Sequence, residues 1–153
     1  MPFIGKVTRK LLPRSIGTSL SYLKILESDY GYAYSSFKWS AIDKNNNPLP
    51  WYTYPAVEYL KQLDYSQKTV FEYGSGNTSI FWSKLAKKVI SVEDNNDWYK
   101  KVRQNLDTYK LENCELKFIP DKEHYVKKIL KHENFDLIII DGRHRFECAE
   151  NVV

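Results

Sequence analysis

The sequence predicts an α/β fold: a doubly wound parallel sheet of about four strands, preceded by an aromatic-rich N-terminal stretch. Three observations carry this. From residue 69 onward, short β-branched runs alternate with stretches of helical spacing, and such alternation implies crossover connections and parallel neighbours. One run, FDLIII at 135–140, is apolar throughout, as a strand covered on both faces should be. A glycine turn, Gly74-Ser75-Gly76, follows the first strand, at the end of the sheet where ligands of such folds bind.

The elements follow in order. Residues 69–73 form a short strand, and residues 78–87 suit a helix with Phe81 and Leu85 at i, i+4. Residues 89–93, within KVISVE, supply a second strand. Trp98, Val102 and Leu106 then repeat every four residues along a helix. Residues 115–119 read as a third strand, Tyr125, Val126, Ile129 and Leu130 mark a third helix, and FDLIII ends at Asp141-Gly142. A further helix starts near the end of the chain.

Ahead of the sheet, Pro55 suits the first turn of a helix carrying Val57, Leu60 and Leu63. Residues 28–54 are loop-like around the turn run Asn45-Asn46-Asn47-Pro48, yet too aromatic for a disordered linker. The first 26 residues hold five bases (Lys6, Arg9, Lys10, Arg14, Lys24) and no acid. They read as a solvated leader packed on the domain, with a membrane-surface or partner-binding arm as the alternative. The expected division is an extension over 1–54 and a sheet domain over 55–153.

Composition limits the function. A chain of 153 residues has room for one real core, and 42% apolar with 27% charged residues is ordinary for a globular protein. The formal charge of +4 is mild and mixed with acids, which argues against a dedicated nucleic-acid binder. No apolar stretch approaches the roughly 20 residues of a membrane span. Cys114 and Cys148 lie far apart with no signal-like segment before them, so free thiols in a reducing, cytoplasmic setting are expected. The three histidines and two cysteines show no ligand spacing, so no metal site is expected.

Three acids end strands: Glu72, Glu93 and Asp141. Glu93 stands 19 residues after Gly74, near the offset of roughly 20 at which an acid reaches a ribose diol. A dinucleotide would want a third glycine where Ser79 stands, and Glu72 beside the loop would repel a pyrophosphate. No Gly-Lys-Ser/Thr follows the turn, so it is not a P-loop. A nucleoside carrying positive charge fits best, and S-adenosylmethionine has an ammonium, a sulfonium and a ribose.

EYGSGNTS resembles the first motif of class I S-adenosylmethionine-dependent methyltransferases, which have a Rossmann-like fold. SVEDNNDW resembles their second motif and FDLIIIDGRHR their fourth. The resemblance covers roughly residues 50–153, and the PLPWYTYPAVEYL lead-in is similar to that of small bacterial methyltransferases. It implies that Glu72, Gly74, Ser75 and Gly76 hold the methionyl side and Glu93 the ribose. Asp94 is the alternative ribose partner, since successive strand residues point opposite ways. Ile119, Pro120 and Asp121 would fall at the adenine pocket and Asp141 at the mouth. The acceptor implied is a small hydroxylated molecule or glycan.

Plainer readings stand beside these. The glycines can form a simple tight turn, Glu93 can cap a helix, Asp121 can start one, and Asp141 can shape a turn. His144 is the candidate general base, though a histidine in a charged loop is also simply solvated. His124 and His132 read as surface residues. The Tyr/Trp stretch from Tyr30 to Tyr54 suits either an acceptor wall or core packing. The family's sheet has more strands than this chain supplies, and there FDLIII is interior. Here it should become an apolar edge, a hazard unless a partner or a homodimer covers it. A truncated gene product, a short variant completed by dimerising, or a non-catalytic binding module are the three possibilities. A nucleotide- or protein-binding module without catalysis is thus the alternative function, and an NAD-dependent oxidoreductase ranks third.

Overall fold

A computed structural model describes residues 13–131 and 134–152. Lys6, Arg9, Lys10 and His132 lie outside the described residues. The chain divides after Asn47 into two compact units, Met1–Asn47 and Pro48–Val153.

The first unit is more helical than its sequence suggests. Helix α1 spans Arg14–Tyr30, and α2 spans Tyr32–Lys38. Ile16, Leu20 and Leu23 do fall at helical spacing, but Gly17 and five Ser/Thr residues dilute the signal. Three of those hydroxyls, on Thr18, Ser19 and Ser21, donate to carbonyls four residues back, which spends their hydrogen bonds without breaking the helix. The loop expected over 28–54 is therefore irregular only after Lys38. Its turn lies where expected, with Asp43 accepting from the backbone N–H groups of Asn45 and Asn47, both at 2.8 Å.

The second unit holds the sheet. Helix α3 (Tyr54–Lys61) starts with proline in its first turn and buries Val57. Strands β1 (Thr69–Tyr73), β2 (Lys88–Glu93), β3 (Cys114–Phe118) and β4 (Leu137–Ile140) follow. Between them lie α4 (Asn77–Ser83), α5 (Asn96–Thr108), and α6 (Lys122–Val126) with a 3-10 turn at Lys128–Lys131. Helix α7 (Arg145–Glu150) comes last. The four strands form one sheet, ordered β3-β2-β1-β4, with all pairs parallel. The expected doubly wound α/β fold is what the chain adopts.

Strand alternation sorts the core into two layers. Val70 and Val89 face α4 and α5, packing with Ile80, Phe81, Trp82, Val102 and Leu106. Phe71, Tyr73, Ile90 and Val92 face the other way, onto Tyr125, Val126, Ile129 and Cys148. By the same alternation Glu72, Ser91 and Glu93 share the α4 and α5 face, and Glu72 is the register partner of Ser91. Two departures from the helical spacing matter. Helix α4 ends at Ser83, before Leu85. Trp98 is 43% exposed while Val102 and Leu106 are buried, because it sits one turn beyond the core, at the carboxyl end of the sheet.

Strand β4 lies at an edge, and all four of its residues are only half-buried. Its side chains still alternate between the two layers, with Leu137 and Ile139 on one and Ile138 and Ile140 on the other.

Candidate functional site

The carboxyl ends of β1, β2 and β4 bring the glycine loop and the three strand-end acids to one end of the sheet. Gly74 adopts φ +87°, a conformation open to glycine and strained for other residues. A Cβ there would meet the Cα of Gly142 at 2.4 Å, and one on Gly142 would meet the Tyr125 hydroxyl at 2.2 Å. The loops after β1 and β4 thus touch backbone to backbone, which requires glycine on both sides. The Gly74 N–H donates to the Val92 carbonyl and the Asp141 N–H to the Tyr73 carbonyl, each at 2.9 Å. These bonds tie both loops to the sheet.

Glu72 lies beneath this loop and has no exposed surface. Its Oε2 accepts from the hydroxyls of Ser79 and Ser91, at 2.5 and 2.7 Å. Ser79 in turn accepts from the Gly76 N–H at 3.0 Å, so the acid, the loop and the first turn of α4 are linked. Oε1 of Glu72 has no hydrogen-bond partner. Burial pushes this carboxyl up to about 7; the hydroxyls of Ser79, Ser91 and Thr78 oppose the rise, and the charge of Asp141 adds to it. A buried carboxylate oxygen without a donor is costly. The position is therefore suited to a positively charged or donating group.

Aromatic side chains adjoin the acid. Burial pushes the Tyr52 phenol up to about 12; the Trp82 indole N–H counters this, and the charges of Glu72 and Asp141 reinforce it. That N–H has no partner at bonding geometry, so it lies close enough to influence Tyr52 without being satisfied. The Tyr125 hydroxyl is buried and unpartnered as well. Its pKa is raised mainly by burial, with the Cys148 thiol and the Glu93 and Asp94 carboxylates contributing.

Glu93 is 6% exposed and engages the loop directly. Its Oε2 accepts from the Ser75 N–H at 3.0 Å and the Ser75 hydroxyl at 2.9 Å, while Oε1 accepts from the Asn95 N–H at 2.9 Å. Asp94 turns away, with its carboxylate 3.6 Å from the Arg143 guanidinium, as alternation requires.

The other expected residues have local partners. Asp121 caps α6, accepting from the His124 N–H at 2.8 Å, and its carboxylate also meets the His124 ring at 2.8 Å. The His124 backbone bond is the main reason its pKa is lowered. Asp141 is exposed and pairs with Arg145 at 3.0 Å. His144 precedes α7 with φ +55°, and its ring meets the edge of Tyr125 with centroids 6.3 Å apart. Glu72, Gly74, Ser75, Gly76 and Glu93 are thus brought together. Asp141 and His144 lie in the adjoining β4–α7 loop, and Asp121 stands at the start of α6.

Sequence reasoning missed Ser91, Asn95, Trp98 and Gly142 as parts of this arrangement. A serine in the middle of KVISVE was the available signal for the first. For Gly142 it was a glycine directly after an apolar strand.

No family model matches the sequence, and no curated protein matches it. Solved structures do resemble it. A methyltransferase-like protein of Silicibacter pomeroyi aligns with TM-score 0.54 and 22% identity, over 69% of this chain and 66% of that one. An rRNA methylase of Streptococcus thermophilus aligns with TM-score 0.48 and 23% identity, over 62% and 58%. The YcgJ protein of Bacillus subtilis aligns with TM-score 0.48 and 13% identity, over 63% and 43%. The chain spans about two thirds of the first of these proteins and less of the others. In its fold, this chain is Rossmann-like and resembles the methyltransferase-like protein.

Proposed function

We propose that the domain binds S-adenosylmethionine at the Gly74-Ser75-Gly76 loop and serves methyl transfer to a small hydroxylated molecule or glycan. The observation that carries this reading is the unpartnered Oε1 of Glu72, fully buried under a glycine loop at the end of β1. A pyrophosphate would find a carboxylate there and be repelled, whereas an ammonium would supply the missing donor. The ligand's chemistry therefore fits the residues present.

Each residue has a role of its own. Glu72 accepts from the amino-acid end of the ligand, and the loop lets the backbone approach it closely. Glu93, already aligned by Ser75 and Asn95, accepts from the ribose hydroxyls. Ile119 and Pro120, just after β3, and Asp121 flank the adenine side. When bound, S-adenosylmethionine supplies a methyl group on a sulfonium, with a good thioether leaving group. The protein's contribution is then mostly positioning and exclusion of water. Asp141 borders the acceptor side, and His144 is the group available to take the acceptor's proton.

Calorimetric titration with S-adenosylhomocysteine, and separately with NAD, tests the cofactor. Saturable binding of the first alone is expected, weakened at least about tenfold by Glu93→Ala, which removes charge-assisted bonds to the diol. No binding by a folded chain would overturn the reading. Release of S-adenosylhomocysteine during turnover with an acceptor then separates an enzyme from a non-catalytic binding module.

A further inference from the structure

Four residues at the site close a ring of hydrogen bonds. Glu93 Oε2 accepts from the Ser75 N–H and hydroxyl. The Ser75 carbonyl accepts from the Trp98 indole N–H at 2.6 Å. The Trp98 backbone N–H donates to the Asn95 side chain at 2.9 Å, and the Asn95 N–H returns to Glu93 Oε1 at 2.9 Å. The ring joins the glycine loop after β1 to the end of β2 and the first turn of α5.

Trp98 is the member whose place core packing does not explain. It is 43% exposed, yet its one polar atom is spent on a loop carbonyl rather than on water. Its Nε1 and Cζ2 lie 3.9 and 4.0 Å from where a Cβ on Gly76 would stand, so the indole runs along the loop. The Lys101 ammonium sits 4.5 Å from the centre of the same ring, a contact that favours this orientation.

We infer that Trp98 is a positioning residue: it clamps the 74–76 loop onto Glu93, so that the loop and the acid are aligned before any ligand arrives. The Ser75 carbonyl would otherwise turn to water, and the Ser75 N–H would leave Glu93 with it. Holding a binding loop in one conformation removes an ordering cost from association. The ligand arm of the test rests on the cofactor proposed above, but the loop arm does not.

Trp98→Phe keeps an aromatic ring and removes the donor together with part of the indole's bulk. In the ligand-free chain, amide exchange at Ser75, Gly76 and Asn77 should quicken about 5- to 10-fold, the scale of one lost hydrogen bond, while the amides of β1 quicken less. Affinity for S-adenosylhomocysteine should fall about 3- to 10-fold, with the thermal midpoint lowered by no more than about 2–4 °C. Unchanged exchange at Ser75, or an equal quickening through β1, would sink the proposal. If the native chain does not bind S-adenosylhomocysteine, the functional reading fails, while exchange at Ser75 still decides the role of Trp98.

Discussion

At the residue scale, the chemistry centres on two carboxylates that the structure treats differently. Glu93 collects three donors from its surroundings. Glu72 is fully buried with one oxygen unpaired, and its pKa is raised from the ordinary 4.5 to about 7. Between those two values the folded chain holds a proton that the unfolded chain has released. Stability should therefore fall as pH rises through that window, by an amount on the order of 3 kcal/mol. Urea denaturation at pH 5 and pH 8 measures this. Glu72→Gln keeps a carbonyl for Ser79 and Ser91 and places an amide donor at the other position. Its stability should be nearly flat with pH, and an unchanged slope would assign the effect to another group. A second test concerns Tyr125, whose hydroxyl is buried and unpartnered. Tyr125→Phe should cost less than about 1 kcal/mol or stabilise, since it removes an unsatisfied donor; a loss of several kcal/mol by thermal melting would contradict this.

At the element scale, two contacts hold the site in shape. The β1 and β4 loops meet glycine to glycine, so Gly74→Ala forces a side chain into the Gly142 backbone and a residue with a Cβ into φ +87°. We expect destabilisation of about 3 kcal/mol or more, read from denaturant midpoints; a loss under about 1 kcal/mol would mean the loops separate freely. Helix α5 is the other contact. Val102 and Leu106 are each 1% exposed, and Leu106→Ala should cost about 2–5 kcal/mol. Much of this was legible in sequence. Strand β1 spans the expected residues, and β2 and β3 each begin one residue earlier than expected. Helix α1 was missed because Gly17 and its serines weaken the pattern, and α4 is shorter than expected because Leu85 mimicked one more turn.

At the scale of the whole molecule, β4 is the exposed feature. It is apolar along its length, half-buried, and paired on one side only among the described residues. An apolar parallel edge is a ready template for another strand. Light scattering of the purified 153-residue chain should therefore report concentration-dependent self-association, and a monomer at every concentration would show the edge to be protected. No helix among the described residues is long and apolar enough to cross a membrane.

The sequence by itself determined the fold class and the strand-end placement of Glu72, Glu93 and Asp141, because strand periodicity and glycine turns are local properties. It also indicated the Glu93 and Asp94 divergence, since alternation along a strand is fixed by backbone geometry. Only the tertiary structure decided what each acid touches. Ser91 reaches Glu72 through strand register, Ser79 through the first turn of α4, and Gly142 meets Gly74 because β4 pairs with β1. Asp121 shows the same limit from the other side: its residues matched a pocket position, while its carboxylate caps its own helix. The Ser91 and Gly142 contacts join residues far apart in the chain, and their cause is the order and register of strands, which no short stretch of sequence encodes.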